Sequence, residues 1–251
     1  MPIRLRLVVA SACVGLALAG CSPATTGDTL TVFAAASLKA PFTDLAGRFE
    51  AAHPGTEVAL VLAGSPTLVE QLDHGAQADV LATADEATMA RAVTDGLVTD
   101  DPISFATNRL TVAVPPGNPA AVAGPADLTR PGLRLVTCAP VVPCGEAALA
   151  VAEAAGLDLS PVSEEQAVGD VLAKVQAGEA DAGLVYVTDV LAAGDSVAQV
   201  PLPLGIAAVN HYPISVLAAA SDPDRAAAFV DLVTGPQGRA VLDEAGFGPP
   251  R

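Results

Sequence analysis

Ser37, Ser65, Cys144 and Val168 fall at equivalent places in the chain's pattern: each sits where an apolar, strand-like run gives way to a helical one. Helix N-termini carry unpaired N–H groups and a partial positive charge, so such starts can hold an anion without any cationic side chain. Serine adds a hydroxyl donor at the same point. Each residue also has a plainer reading. Ser37 and Ser65 suit helix N-caps, and Ser65-Pro66 has the pattern of a cap followed by a first helical proline. Val168 shares a helical face with Val171, Leu172 and Val175, and Ser163 with Gln166 fits a capping box that would start this helix earlier. Tyr186 closes a buried-looking strand, where its ring suits the core and its hydroxyl a local partner. Their joint recurrence at strand ends is what points to a ligand, because open α/β sheets bind ligands there.

Other chemistries lack their residues. There is no G-x-S-x-G and no G-x-x-x-x-G-K-[ST]. His53, His74 and His211 are scattered, with no zinc-like spacing to the cysteines. Cys138 and Cys144, in CAPVVPCG, are too far apart for the C-x-x-C redox motif; in an oxidising compartment they favour a small disulfide loop. An exported thiol enzyme using this pair stands as an alternative of another class, and a lipid-anchored adhesion or structural protein as a third. With 28 acidic against 12 basic residues, the net charge of −16 opposes nucleic-acid binding, which rests on Lys and Arg contacts to phosphate.

The elements that must position these residues alternate. Leu30–Phe33, Glu57–Leu62, Asp79–Ala84, Leu110–Val114, Leu133–Thr137, Ala182–Val187 and Ile214–Ala219 read as strands. Helical faces lie between them, the clearest being Leu38, Phe42, Leu45 and Phe49. Asp85 and Glu86 open one helix with acidic residues, and Gly156 ends an Ala-rich one. This order predicts an α/β fold with mostly parallel sheets flanked by helices. Phe105–Asn108 and Asn210–Pro213 read as loop-like crossing points between two halves.

The first twenty residues read as a secretory signal: Arg4 and Arg6, a short apolar run, then small residues. Leu18-Ala19-Gly20-Cys21 fits a bacterial lipoprotein box, which predicts lipidation at Cys21 and a flexible tether over 21–28. Two acyl chains suffice for stable anchoring where one is marginal. Loss of the signal would leave 21–251, with a net charge of −18 after Arg4 and Arg6 go.

Taken in order, TVFAAASL, AGSPTL, ADVLATAD, GLVY and HYPISVL resemble the motifs of periplasmic molybdate-binding proteins, the solute receptors of molybdate ABC importers. The carboxyl end, VDLVTGPQGRAVLDEAGF, is similar too. The resemblance spans nearly the whole exported chain. It implies a two-lobed periplasmic-binding-protein fold (type II), lobe I being 29–106 with 212–251 and lobe II 107–211, and an oxyanion in the cleft. It also implies a monomer without cofactor or enzymatic activity, on the outer face of the membrane, delivering molybdate and tungstate to a permease. Ser37, Ser65 and Tyr186 would donate hydroxyls, and Cys144 and Val168 backbone N–H groups, so that metal is held only through its oxygens. The family pattern has alanine where Cys144 stands; a bridge to Cys138 would stiffen the loop presenting that N–H. Sulfate or another tetrahedral oxyanion is the rival ligand.

Overall fold

The computed structural model describes residues 28–250. The expected signal segment, the expected lipidation site Cys21 and the expected tether up to residue 27 lie outside the described residues. Asp28, expected at the tether's end, already belongs to the first strand. In chain order the elements begin β1 (Asp28–Ala35), α1 (Lys39–Ala52), β2 (Thr56–Ala63), α2 (Ser65–Asp73), β3 (Val80–Ala82), α3 (Glu86–Thr94) and β4 (Ile103–Val114). The middle of the chain forms β5 (Leu135–Cys138), α4 (Pro143–Ala155), β6 (Ser163–Glu165), α5 (Val168–Gln176), β7 (Ala182–Tyr186), α6 (Val187–Ala193) and β8 (Ala198–Val200). β9 (Val209–Val216), α7 (Pro223–Thr234) and α8 (Pro236–Glu244) complete it. Among the described residues, no helix is long and apolar enough to cross a membrane.

The strands join in the order β2-β1-β3-β9-β4-β7-β5-β6, with β8 also on β4. β1 pairs in parallel with β2 and β3, and β5 with β6 and β7. The antiparallel pairs all involve β4 or β9. The expectation of mostly parallel sheets therefore describes the two groups of strands but not what joins them. Phe105–Asn108 and Asn210–Pro213 are likewise not loops: they lie within β4 and β9 and pair with each other. Polar residues and a proline disguised them, and a register shift between Ser104 and Ala106 breaks the alternation that would mark a strand. β4 passes its first half to β9 and its second to β7 and β8, so one strand runs through the whole sheet. The chain's end closes on it, with backbone bonds between Thr107 and Gly248 of 3.0 and 2.8 Å.

Buried residues gather on either side of this crossing. One cluster takes Leu110 to Val114, β5, β7 and the inner faces of α4 and α5. Others collect β1, β3 and the apolar faces of α1, α2, α3 and α7. The face read from sequence, Leu38, Phe42, Leu45 and Phe49, is fully inside. Phe42 and Phe49 meet Phe229 edge-on at 6.1 and 5.4 Å, a favoured aromatic geometry that fixes α1 on α7. Asp85 caps α3 by accepting from the Thr88 N–H at 2.6 Å, and Gly156 ends α4 with a left-handed φ of 65°. Asp79, in the ADVLATAD stretch, is buried and accepts from the Thr31 N–H at 2.7 Å and from the Ser221 N–H and hydroxyl at 2.7 and 2.8 Å. Those three bonds give it a structural task, tying β1 to the turn before α7.

Candidate functional site

Two helix starts face two others across a narrow gap, and the gap is lined by Ser37, Ser65, Cys144, Val168 and Tyr186 together. They reach it from five separate elements. The remaining lining is small or apolar, including Ala35, Ala36, Ala63 and Ala84, and among these residues there is no Lys, Arg, Asp or Glu. The alanines at the ends of β1 and β2 thus keep the backbone there unshielded by side chains. The space is slight: the centre of a water-sized sphere has about 10 Å³ in which to move. A larger groove of about 670 Å³ opens alongside and shares Ser37, but its lining is mainly apolar, with Lys39, Asp189 and Glu244 as its charged side chains. The converging donors belong to the small cavity.

Ser37 is not the cap that its place suggested. It lies in a 3-10 turn, Ala36–Leu38, before α1, and makes no capping bond; its Oγ is 2.9 Å from the Tyr212 hydroxyl. Ser65 is not a cap either. Gly64 holds the cap position, and Ser65 Oγ accepts from the Ala84 N–H at 3.0 Å. With a lone pair so used, the Ser65 proton is free to be donated elsewhere. Cys144 is the second residue of α4 and Val168 the first of α5, so neither N–H has an acceptor within its helix. Ser163 forms no capping box for α5; it lies in β6 and donates to Glu165, which Lys174 also contacts. The Val168 side chain is buried in the core, as its helical face predicts, and the same residue lines the cavity.

Cys138 and Cys144 form a disulfide, with Cα atoms 5.6 Å apart. It closes the loop that presents the Cys144 N–H. Gly145 packs under the same loop, where a Cβ would lie 1.9 Å from the Ala139 carbonyl oxygen. Both cysteines are 2% exposed, which leaves an attacking thiol no access and weighs against a thiol enzyme.

The local partner that the plainer reading of Tyr186 expects for its hydroxyl is not found. That hydroxyl is buried and has no hydrogen-bond partner among the described residues. Such an atom costs about 1–3 kcal/mol if left unsatisfied, which makes it a candidate for contact with a ligand. Burial pushes its pKa well above the usual tyrosine value, helped by the nearby Tyr212 hydroxyl and by Asp189 and Asp85, and Tyr186 stays a proton donor. No cluster of three or more His, Cys, Asp or Glu side chains suited to a bare cation occurs among the described residues.

A family model described as bacterial extracellular solute-binding protein matches residues 30–248. The chain belongs to this family. As a solute-binding protein it has a clear relative in "Molybdate-binding protein ModA" of Mycobacterium tuberculosis (strain H37Rv), 47% identical over 222 residues, covering 88% of this chain and 85% of that one. In fold it is similar to the Azotobacter vinelandii periplasmic molybdate-binding protein, with a TM-score of 0.76 at 22% identity, covering 88% of this chain and 100% of that one. The sulfate-binding protein SubI of M. tuberculosis matches equally, with a TM-score of 0.76 at 22% identity, covering 88% of this chain and 87% of its own. The expected fold, two-lobed and of the periplasmic-binding-protein kind, is the one observed.

A residue the sequence did not single out in this solute-binding protein is Asp189. It lies in the first turn of α6, and its Oδ2 accepts from the Tyr186 N–H at 2.8 Å. Burial pushes its carboxyl up to about 7, against the opposing pull of that backbone bond. The folded-state pKa thus lies above the unfolded value of about 3.9. The favourable contribution of this group is complete at pH values below the unfolded pKa, and it is lost as the pH rises through about 7. Asp189→Asn should therefore gain melting temperature on the parent as pH goes from 5 to 8. Melting curves at the two pH values check this; an equal gap at both would show that the carboxyl does not titrate there.

Proposed function

We propose that this protein captures molybdate, and tungstate with it, and hands the oxyanion to an ABC importer. The observation that carries the reading is the buried, unpartnered hydroxyl of Tyr186, a residue that lines a small cavity together with Ser37, Ser65 and the helix-start residues Cys144 and Val168. Molybdate is a dianion fully ionised near neutral pH, and it calls for donors only. Ser37, Ser65 and Tyr186 supply O–H groups, Cys144 and Val168 supply N–H groups, and the charge-assisted bonds they would form are roughly twice as strong as neutral ones. The slight volume leaves no room for an organic solute in this cavity. The identity to a molybdate-binding relative favours molybdate over sulfate; the equal fold likeness to a sulfate-binding protein keeps sulfate as the rival.

Mechanistically, lobe I (29–106 with 212–251) and lobe II (107–211) would move about the crossing strands β4 and β9. Ser37 and Ser65 belong to the first lobe, and Cys144, Val168 and Tyr186 to the second, so a bound ion bridges them and favours the closed state. The chain would work as a monomer, tethered outside the membrane by lipid on Cys21.

Calorimetric titration with molybdate, tungstate, sulfate and phosphate tests the reading. Molybdate and tungstate should bind tightly, sulfate and phosphate weakly. A preference for sulfate would transfer the site to the rival ligand. Added salt should weaken molybdate binding little, since the donors are neutral and buried and the field of the net charge is screened beyond about 8 Å at physiological ionic strength. A steep salt dependence would point to a Lys or Arg site elsewhere.

A further inference from the structure

The Ser37 hydroxyl has one proton, and the oxyanion needs it. Ser37 Oγ and the Tyr212 hydroxyl are 2.9 Å apart, and either can be the donor. Two neighbours decide between them. The Arg109 N–H donates to Asn108 Oδ1 at 2.9 Å, which fixes the amide with its NH₂ turned the other way. That NH₂ donates to Thr188 Oγ1 at 2.7 Å and, at a longer 3.5 Å, faces the Tyr212 oxygen. An amide NH₂ only donates, so Tyr212 accepts on that side; its own proton is left for Ser37 Oγ or for the Tyr186 oxygen nearby, and the 2.9 Å contact selects Ser37. Ser37 then accepts from Tyr212 and has its proton left for the cavity. Ser65 is in the same condition through the Ala84 N–H.

We propose that Tyr212 is a positioning residue of the binding site: its hydroxyl, oriented by Asn108, sets the direction in which Ser37 donates. Tyr212 is fully buried on β9, and Asn108 is buried on β4, so both crossing strands take part. The Tyr212 ring is held edge-on by Phe105, Tyr186 and Phe247, at centroid distances of 6.3, 6.1 and 5.4 Å. A ring so confined leaves its hydroxyl little choice of direction. The arrangement makes both serines donors toward the ligand at no cost in reorientation when the ion arrives.

The inference rests on the oxyanion reading of the same cavity, and a double-mutant cycle separates the two. Affinity for molybdate is measured in the parent, Tyr212→Phe, Ser37→Ala and the double variant, with melting temperatures alongside. If Tyr212 acts through Ser37, Tyr212→Phe weakens binding by about fivefold or more in the parent and changes nothing in the Ser37→Ala background. An equal loss in both backgrounds makes Tyr212 merely structural, and no loss in the parent removes it from the site; either result overturns the proposal. Should Tyr212→Phe not fold, Asn108→Ala removes the orienting donor and is read through the same cycle, with the same outcomes. If the parent binds no molybdate but binds sulfate, the functional reading fails and the cycle is run with sulfate.

Discussion

Gly64→Ala weakens oxyanion binding by about tenfold or more, equivalent to ~1.4 kcal/mol, and Gly64→Val abolishes it, while the ligand-free protein keeps its melting temperature. The expectation comes from what a side chain at this position would meet. The backbone of Gly64, φ −62° and ψ 139°, is one that any residue adopts, so glycine is not required by its own conformation. A Cβ there would lie 2.0 Å from the Gln166 carbonyl oxygen and 3.7 Å from Val142 Cγ1. Gln166 and Val142 precede α5 and α4, on the far side of the gap, so the obstruction arises between the two walls and not within either.

No side-chain rotation relieves a contact with a backbone carbonyl. The walls must part, and the N–H groups of Cys144 and Val168 move away from Ser65 with them. Each wall by itself is left intact, which is why stability and affinity should separate. Calorimetry gives the affinity, and small-angle scattering with and without molybdate gives the compaction. Unchanged affinity in Gly64→Val would mean that the two walls do not meet in the bound state. Asn210, on β9, ties the two walls by donating to the Ala84 carbonyl at 3.0 Å and to that of Pro143 at 3.4 Å.

Tyr186→Phe should act with opposite sign on binding and on stability. Removing the hydroxyl deletes one hydrogen bond to a charged ligand, worth on the order of 1.5–3 kcal/mol, so affinity falls roughly 10- to 150-fold. In the structure the same hydroxyl is buried without a partner, and phenylalanine fills the space without that penalty. The melting temperature without ligand should hold or rise, and the rise on adding molybdate should shrink. Ser37→Ala is the control for affinity: it loses a donor of the same class without relieving a buried orphan. A Tyr186→Phe protein that binds as the parent does would exclude Tyr186 from the site. One that simply melts lower would mean that the hydroxyl is satisfied in solution.

Much of this was legible in the chain. Leu38, Phe42, Leu45 and Phe49 recur at helical spacing because one face of α1 must leave water, and that periodicity survives any tertiary context. Gly156 and Asp85 announce helix ends through local chemistry alone. The narrowing in TVFAAASL and the recurring strand-to-helix turns marked Ser37, Ser65, Cys144 and Val168, the family resemblance added Tyr186, and the fold gathers all five at one cavity. The crossing strands were not legible. Polar residues, a proline and a register shift gave Phe105–Asn108 and Asn210–Pro213 the look of loops, and only pairing with each other makes them strands.

By itself the sequence determined the alternation of elements, the cores they bury and the absence of cationic motifs at the candidate site, because these follow from local patterning and composition. Only the tertiary structure decided what the hydroxyls do. Ser37 and Ser65 would cap helices as far as their neighbours in the chain are concerned. They do not, because Tyr212 lies 175 residues from Ser37 and Ala84 lies 19 residues from Ser65, and these distant groups claim their oxygens. The same holds for Tyr186, whose missing partner could not be read from any spacing. Hydrogen-bond direction depends on which groups the fold brings within 3 Å, and sequence proximity carries no information about that for residues so far apart.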